Sequence, residues 1–188
     1  MGKHPPLLKT LRAIALEHAA VEHPDLATMA RDLGRVVHQD ASVLARLRQR
    51  QRGFERWLLA ERGKPPVSVL LLAWPPNHAT PVHDHAGPWS LQLTLVGALE
   101  VQSYRRDTDS GELGLHGRNW LGPGDSAWFE GDRGLAHRCR NLSRHDTALS
   151  LHVCGGELPG YFAREQAESA GHRVAPPRRS AIAGRLPG

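Results

Sequence analysis

The sequence has few cysteines and no long apolar run. Cys139 and Cys154 are its two cysteines. They are too few for the disulfide framework of a small secreted domain, so we expect free thiols in a reducing compartment. No stretch approaches the roughly eighteen apolar residues of a membrane-spanning helix, and the residues after Met1 contain no apolar signal core. These absences predict a cytoplasmic protein with no membrane partner.

The sequence also lacks the signatures of nucleic-acid binding, although its formal net charge is +5. Much of the positive charge lies in residues 46–56 and 173–185, and neither an RNA-binding aromatic motif nor a zinc finger lies between them. We therefore expect no nucleic-acid partner. With 188 residues, of which 40% are hydrophobic and 23% charged, the chain is long enough for one compact domain with a full core.

The first part of the chain, residues 1–52, has the periodicity of helices. Apolar residues recur every three or four positions over Pro5–Val21 and again over Leu26–Val37. Asp40 is placed to cap a third, Arg-rich segment that runs to Leu47. None of these segments has ligand spacing, so we interpret them as a packing layer of the same domain.

After Gly53 the sequence changes to short runs rich in Val, Leu and Trp, separated by Gly, Pro, Asn and Asp. The runs are Trp57–Leu59, Val67–Trp74, Ser90–Val96, Leu99–Tyr104, Leu113–Leu121, Ser126–Phe129, His137–Asn141 and Ala148–Val153. Many short strands at regular spacing predict a sandwich or barrel over residues 53–172. Residues 173–188 are rich in Pro, Arg and Ala without an apolar period, which indicates a basic tail, either mobile or laid over the barrel surface.

Two histidines lie one residue apart in the segment His83-Asp84-His85, between two apolar runs. In a β-strand they point to the same side, because side chains alternate between faces. Imidazole is the commonest protein metal ligand, and such a pair offers two adjacent corners of a coordination sphere. On the pair alone, a buried core histidine beside an exposed one is an equally good interpretation. The other histidines, His78 among them, are expected at the surface.

A second segment strengthens the metal interpretation. Gly134, His137 and Asn141 lie on a late predicted strand, and Gly97 lies between them and the histidine pair. Together these residues resemble the two-part signature of the cupins, which are small jelly-roll barrels that hold a metal inside. The resemblance implies a mainly β fold, a cupin jelly-roll barrel with an N-terminal layer of two to three α-helices.

One branch of the cupins matches best: the chain resembles the cysteine dioxygenase family of thiol dioxygenases. The segments that carry this resemblance are Phe54-Glu55-Arg56-Trp57-Leu58-Leu59, Trp74, His83-Asp84-His85, Gly134-Leu135-Ala136-His137-Arg138 with Asn141, and Ser150-Leu151-His152. They occur in the family's order from about Arg56 to Val153, which covers most of the predicted barrel.

The resemblance implies an iron(II) enzyme that adds both atoms of O2 to the thiol of a small, carboxylate-bearing substrate, giving a sulfinic acid. Residue by residue, it places iron on His83, His85 and His137, a clamp for the substrate carboxylate on Arg56, and the first two members of a Ser-His-Tyr relay on Ser150 and His152. Its small-molecule partners are then the thiol, either cysteine or a related mercapto acid, and O2.

Coordination chemistry agrees with this implication. Three neutral imidazoles leave about three positions open on a six-coordinate iron(II), enough for substrate and O2. Nickel or zinc can replace iron in a purified sample, since nitrogen ligands do not select iron by affinity. The planar fork of Arg56 pairs with both oxygens of a carboxylate and stays charged at any working pH.

The sequence departs from the family pattern at three positions. Cys154 stands where the relay has Tyr, and Ser90 stands where mammalian members have a Cys cross-linked to that Tyr. We therefore predict no thioether cross-link. Phe54 stands where some relatives have Tyr, so the pocket is predicted to be less polar, and a 3-mercapto acid or a heterocyclic thiol joins cysteine as a candidate substrate.

Each assignment has an alternative on the sequence alone. Arg56 lies at the end of a basic run and could be a solvated surface residue, His152 could be a hydrogen-bonded core histidine, and Cys154 could fill space as readily as take part in catalysis. The alternative function is a metal-binding cupin of other use, either a different metal-dependent enzyme or a small-molecule sensor. An Arg56 that faces the pocket favours the dioxygenase. Oligomeric state and pathway are not predicted.

Overall fold

The computed structural model describes residues 6–38, 44, 48, 53–84, 88–131, 135–156, 162–163 and 184–185. Within these residues the chain forms two continuous helices and eleven strands, and the isolated described residues Leu44 and Arg48 are also helical. The helices are α1 (Pro6–His18) and α2 (Leu26–Val37), and the strands are β1 (Glu55–Gly63), β2 (Pro66–Trp74), β3 (His83–Asp84), β4 (Trp89–Val96), β5 (Leu99–Arg106), β6 (Leu113–Leu121), β7 (Ser126–Glu130), β8 (Leu135–Asn141), β9 (Ala148–Gly155), β10 (Phe162–Ala163) and β11 (Gly184–Arg185).

The strands form two sheets. One sheet has six strands in the order β11-β1-β2-β9-β4-β7, and the other has five in the order β10-β3-β8-β5-β6. Neighbouring strands pair antiparallel, apart from the short parallel pairing of β1 with β11. Apolar side chains from both sheets, such as Leu70 and Val101, meet in one buried cluster, so the sheets enclose a common interior. The predicted fold class is confirmed: a mainly β cupin barrel with N-terminal helices.

All eight predicted strand runs are strands in the structure, and β6 begins and ends at the predicted residues. The sequence predicts them because each run is rich in strand-forming residues and is bounded by residues typical of turns. The sequence does not predict the three strands β3, β10 and β11, because each has only two residues, too few to show a periodicity.

Helix α2 has a defined start and a clear apolar side. The side chain of Asp25 accepts hydrogen bonds from the backbone N–H and the hydroxyl of Thr28, at 3.0 and 2.7 Å, which is the pattern of an N-cap. The apolar residues on the buried side recur at helical spacing: Leu26, Met29, Ala30, Leu33 and Val37. Of the predicted third segment, Asp40 and Leu47 lie outside the described residues, whereas Leu44 is helical and buried.

The six-stranded sheet separates two cores. On its outer face, odd-numbered residues such as Leu71 of β2 and Leu151 of β9 pack with the buried sides of α1 and α2. On its inner face, even-numbered residues such as Leu70 and Leu72 face the other sheet. On each central strand the residues of the outer face are therefore all apolar. The polar residues of these strands occupy even positions and point into the barrel.

The strand register aligns the inner residues of β2, β9 and β4 into three rows. The rows are Ser68 with Cys154 and Ser90, Leu70 with His152 and Gln92, and Leu72 with Ser150 and Thr94. Arg56 of β1 extends the third row, since it pairs with Leu72. Residues far apart in the sequence are thus brought side by side in the barrel interior.

Asn141, the last residue of the cupin-like signature, has a structural role. Its side-chain amide donates to the carbonyls of Trp74, Pro75 and Asp146, at 2.9, 3.1 and 2.8 Å, and its oxygen accepts from the N–H of Ser143 at 3.0 Å. These bonds join the ends of β2 and β8 to the turn before β9. The buried amide therefore holds together the strands that carry the site.

Gly97, which also belongs to the signature, makes the turn between β4 and β5. Its φ is +83°, and a Cβ at this position would lie 2.8 Å from the Cβ of Ala148. Only glycine combines this backbone conformation with so close an approach of β9.

The domain boundaries remain predictions. Helices α1 and α2 pack against the outer face of the six-stranded sheet. The predicted boundaries after residues 52 and 172 adjoin residues outside the described part of the chain, and of the predicted tail the structure describes only Gly184 and Arg185. In the described residues, neither helix has the length and apolar character that a bilayer crossing requires.

Candidate active site

A cavity of about 40 Å³ lies inside the barrel, between the two sheets. Its polar lining consists of Arg56, Thr80, His83, Cys139, His137, His152 and Cys154. Five of the predicted site residues are in this set. Of the other two, Ser150 lies behind His152, and His85 falls outside the described residues.

His83 and His137 lie side by side in the cavity wall. They are direct partners in the antiparallel pairing of β3 with β8, and their ring centroids are 4.4 Å apart. The Pro81 carbonyl is 2.8 Å from Nδ1 of His83. Because a carbonyl only accepts hydrogen bonds, this nitrogen carries a proton, and in the neutral ring Nε2 then has the lone pair. Phe129 stacks on the ring of His137 at 4.4 Å and holds its orientation.

In this form His83 fits a metal such as iron(II), and the ring of His137 lies beside it. Neutral imidazole with a hydrogen bond from its second nitrogen to a carbonyl is the usual form of a metal-ligating histidine. In the part of the chain that the structure describes, no group of three or more His, Cys, Asp or Glu residues is placed to hold a metal ion. The third predicted ligand, His85, lies outside that part, so the three-histidine set remains a prediction.

Arg56 lies within the barrel, with 5% of its surface exposed, and it lines the same cavity as the two histidines. The basic run that precedes it in the sequence gave the alternative of a solvated residue, which its burial does not support. Its position follows from strand alternation, since Leu58 and Arg56 of β1 both point inward whereas Trp57 packs outward. A buried guanidinium in a cavity is a binding group for an anion.

Ser150 and His152 are linked to each other and to Trp74. The indole Nε1–H of Trp74 donates to Oγ of Ser150 at 2.8 Å, and the same oxygen lies 3.0 Å from Nε2 of His152. The Trp74 and His152 rings are stacked with centroids 6.2 Å apart. In the sequence, Trp74 stands out only as part of the family resemblance. Its inward phase with Leu70 and Leu72 was the available sign that it belongs to the site.

The two cysteines are both buried free thiols that line the cavity. Burial raises the pKa of Cys139 to about 12, although its Sγ–H donates to Oε1 of Gln92 at 3.1 Å. Burial also raises the pKa of Cys154 to about 12, against the opposing effect of the nearby Arg56 charge. Both are therefore protonated near neutral pH, the unreactive form of a thiol.

The remaining wall of the cavity is apolar and aromatic. Phe54, Leu70, Leu72 and Trp74 line it, and Phe54 meets Trp74 edge-on with centroids 5.1 Å apart. On its other side Phe54 stacks on His78 at 4.4 Å. Contrary to the surface position expected for it, His78 is half-buried, and burial lowers its pKa, so its ring is neutral near pH 7. The walls therefore favour a substrate with an apolar portion.

Comparison with known proteins identifies the family. Residues 31–161, well over half of the chain, match the family model described as cysteine dioxygenase type I. The chain belongs to this family. It is 27% identical over 96 residues to cysteine dioxygenase type 1 of Homo sapiens, covering 50% of this chain and 48% of the human protein, and likewise 27% identical to the Bos taurus protein. The chain thus matches about half the length of these relatives of the cysteine dioxygenase family.

Solved structures with similarity to this family member include an oxidase and an isomerase. An oxalate oxidase in complex with the substrate analogue glycolate has a TM-score of 0.46 and 20% identity, covering 59% of this chain and 55% of that one. A cupin-superfamily sugar phosphate isomerase from Silicibacter pomeroyi has a TM-score of 0.38 and 22% identity, covering 48% and 50%.

The two positions at which this chain departs from the cross-linked cysteine dioxygenases are neighbours in space. Ser90 of β4 and Cys154 of β9 are direct partners in the sheet, on its inner face. Adjacent inward positions are where a side-chain cross-link between two strands is possible. In this family member those positions hold a hydroxyl and a protonated thiol.

Proposed function

We propose that this chain is an iron(II)-dependent thiol dioxygenase that converts the thiol of a small carboxylate-bearing substrate to a sulfinic acid. The reaction is R–SH + O2 → R–SO2H, in which the sulfur is oxidised and both oxygen atoms are retained. The observation that carries the proposal is the buried guanidinium of Arg56 in the same cavity as His83 and His137. Membership of the cysteine dioxygenase type I family supports the same chemistry.

In this proposal iron is held by His83, His85 and His137. The tautomer of His83, with its proton on Nδ1 beside the Pro81 carbonyl, suits it as a ligand. The metal supplies the redox and Lewis-acid chemistry that allows O2 to react with a thiol, whose proton is lost more easily beside a cation.

Arg56 binds the carboxylate of the substrate. Its guanidinium offers two parallel N–H donors, which fix the carboxylate in position and orientation. With only 5% of the residue exposed, the pair forms away from water, where its electrostatic attraction is weakly screened. A substrate held at its carboxylate end by Arg56 extends its thiol along the cavity towards the histidine pair.

We assign His152 the role of hydrogen-bond donor in the cavity. Oγ of Ser150 lies 3.0 Å from its Nε2 and fixes the ring, and the neighbouring Trp74 ring limits its rotation. An imidazole in this position can donate a hydrogen bond to an anionic sulfur or oxygen atom as charge develops there. Cys154 takes the next inward position of β9, where its protonated thiol is a weak donor at most.

The apolar walls exclude water and narrow the range of substrates. Leu70, Leu72, Trp74 and Phe54 leave little room for solvent in a cavity of about 40 Å³. We propose that the substrate is cysteine or a related mercapto acid, with its hydrocarbon part against these side chains. O2 is the second small-molecule partner, and the proposed location is the cytoplasm.

The test is anaerobic reconstitution with iron(II), followed by O2 consumption across a panel of thiols with and without a carboxylate. We expect stoichiometric O2 uptake with at least one carboxylated thiol, and a product heavier than the thiol by two oxygen atoms. The matched control is the His83→Ala protein treated in the same way. A metal-loaded parent that consumes no O2 with any thiol would leave the alternative, a metal-binding cupin of other use.

A further inference from the structure

The hydrogen bonds behind His152 determine more than its position. The indole nitrogen of Trp74 can only donate, so in the 2.8 Å contact the oxygen of Ser150 must be the acceptor. Trp74 is the last residue of β2 and Ser150 is near the start of β9, and these two strands are neighbours at the centre of the six-stranded sheet. The direction of this hydrogen bond is thus fixed by the chemistry of the indole.

Among the described residues, the hydroxyl proton of Ser150 then has one acceptor. Ser150 is completely buried, and in the described part of the chain its oxygen makes hydrogen bonds with Trp74 and with Nε2 of His152. If Nε2 carried a proton and donated it, the serine oxygen would accept twice, and its own proton would have no partner among the residues that the structure describes. A buried hydroxyl proton without an acceptor is unfavourable, so the serine donates to Nε2.

We propose that Trp74 is a positioning residue that sets the tautomer of His152. Because Ser150 accepts from the indole and donates to Nε2, the imidazole carries its proton on Nδ1. This inference rests on the proposed function for its consequence: His152 acts in the cavity as a hydrogen-bond donor through Nδ1–H, towards an anionic group such as a thiolate, carboxylate or sulfinate. The hydrogen-bond chain itself is a property of the metal-free protein.

The direct test is nuclear magnetic resonance of the 15N-labelled, metal-free protein. Long-range proton–nitrogen spectra distinguish a protonated ring nitrogen from one with a lone pair, and the His152 signals are those lost in His152→Gln. In the parent we expect the Nδ1–H pattern. In Trp74→Phe the serine hydroxyl is released to accept from Nε2–H, so the His152 nitrogen signals should shift towards the other tautomer.

A matched control separates this effect from general loss of packing. Trp89 is also a buried tryptophan, and its indole donates to the backbone carbonyl of Glu22 at 3.1 Å, on the helix side of the sheet. Trp89→Phe removes the same kind of bond, and the His152 signals should stay as in the parent. Ser150→Ala should change both the His152 signals and the indole N–H resonance of Trp74, which keeps the proposal testable if Trp74→Phe does not fold.

Two results would overturn the proposal. One is an Nε2–H tautomer for His152 in the parent, and the other is an unchanged tautomer in both Trp74→Phe and Ser150→Ala. Either result is independent of the catalytic assay, which can fail while the Nδ1–H pattern is observed. In that case the hydrogen-bond path from Trp74 through Ser150 to His152 is supported, and the proposed reaction is not.

Discussion

Replacement of Arg56 by alanine tests the proposed substrate clamp most directly. If the guanidinium pairs with a carboxylate inside the cavity, Arg56→Ala removes a charged partner that is 5% exposed. Removing one partner of such a buried charge pair typically costs about 2 to 5 kcal/mol, because little water can reach the remaining charge and solvate it. The expected loss in kcat/KM on a carboxylated thiol is therefore about thirty- to several-thousand-fold.

The size of the loss should depend on the substrate. On a thiol without a carboxylate, such as cysteamine, Arg56→Ala should lose little, because the parent protein gains nothing from the clamp. Arg56→Lys should recover part of the loss on carboxylated thiols, since an ammonium keeps the charge but lacks the planar fork. The assay is initial-rate O2 consumption, with circular dichroism to verify that each variant folds.

The matched control is Arg118→Ala, which removes a guanidinium that is about half-exposed on the outside of the barrel. It should leave kcat/KM unchanged on every thiol. If Arg56→Ala oxidises carboxylated thiols as fast as the parent does, the clamp is refuted. The site would then be a metal-binding cavity without a recognised carboxylate subsite.

Three further predictions concern the metal, the barrel interior and pH. His83→Ala and His137→Ala should each lose bound divalent metal by elemental analysis, and undiminished metal in both variants would refute the ligand assignment. The intact mass should equal that of the plain chain; a mass lower by two hydrogen atoms, mapped to Ser90 or Cys154, would reveal a cross-link. Burial raises the pKa of Cys139 and Cys154 from 9.0 to about 12. The contribution of this difference to the free energy of unfolding is therefore complete below pH 9.0 and is lost as pH rises towards 12. Denaturant unfolding across that range should show the decline, and Cys→Ala variants should flatten it.

The sequence predicted the barrel well for a physical reason. Strands such as β2 and β9 are buried on both faces, so their composition stands out between turns of Gly, Pro and Asn. The inward phase of Ser150, His152 and Cys154 follows from alternation alone. The two-residue strand β3 has no such signal, and its pairing of His83 with His137 depends on how the two sheets close.

Other features of the site depend on contacts that no periodicity encodes. The bond from Trp74, the last residue of β2, to Ser150 requires the register of β2 with β9 in which Trp74 pairs with Ala148. His78 lies in a connection between strands, and its stacking on Phe54 follows from the path of that connection. These residue types are ordinary in a sequence, so their roles become visible only from their neighbours in space.

The alternation of the central sheet has a consequence for how this protein can change. Along β9, odd positions such as Leu151 hold the helices and even positions such as His152 form the cavity. Substitution at an even position can therefore alter chemistry while the helix-side core stays intact. A one-residue deletion in β9 would exchange the two sets and destroy both at once. New specificities in this scaffold are accessible by point replacement of inward residues, whereas insertions and deletions must be confined to the loops.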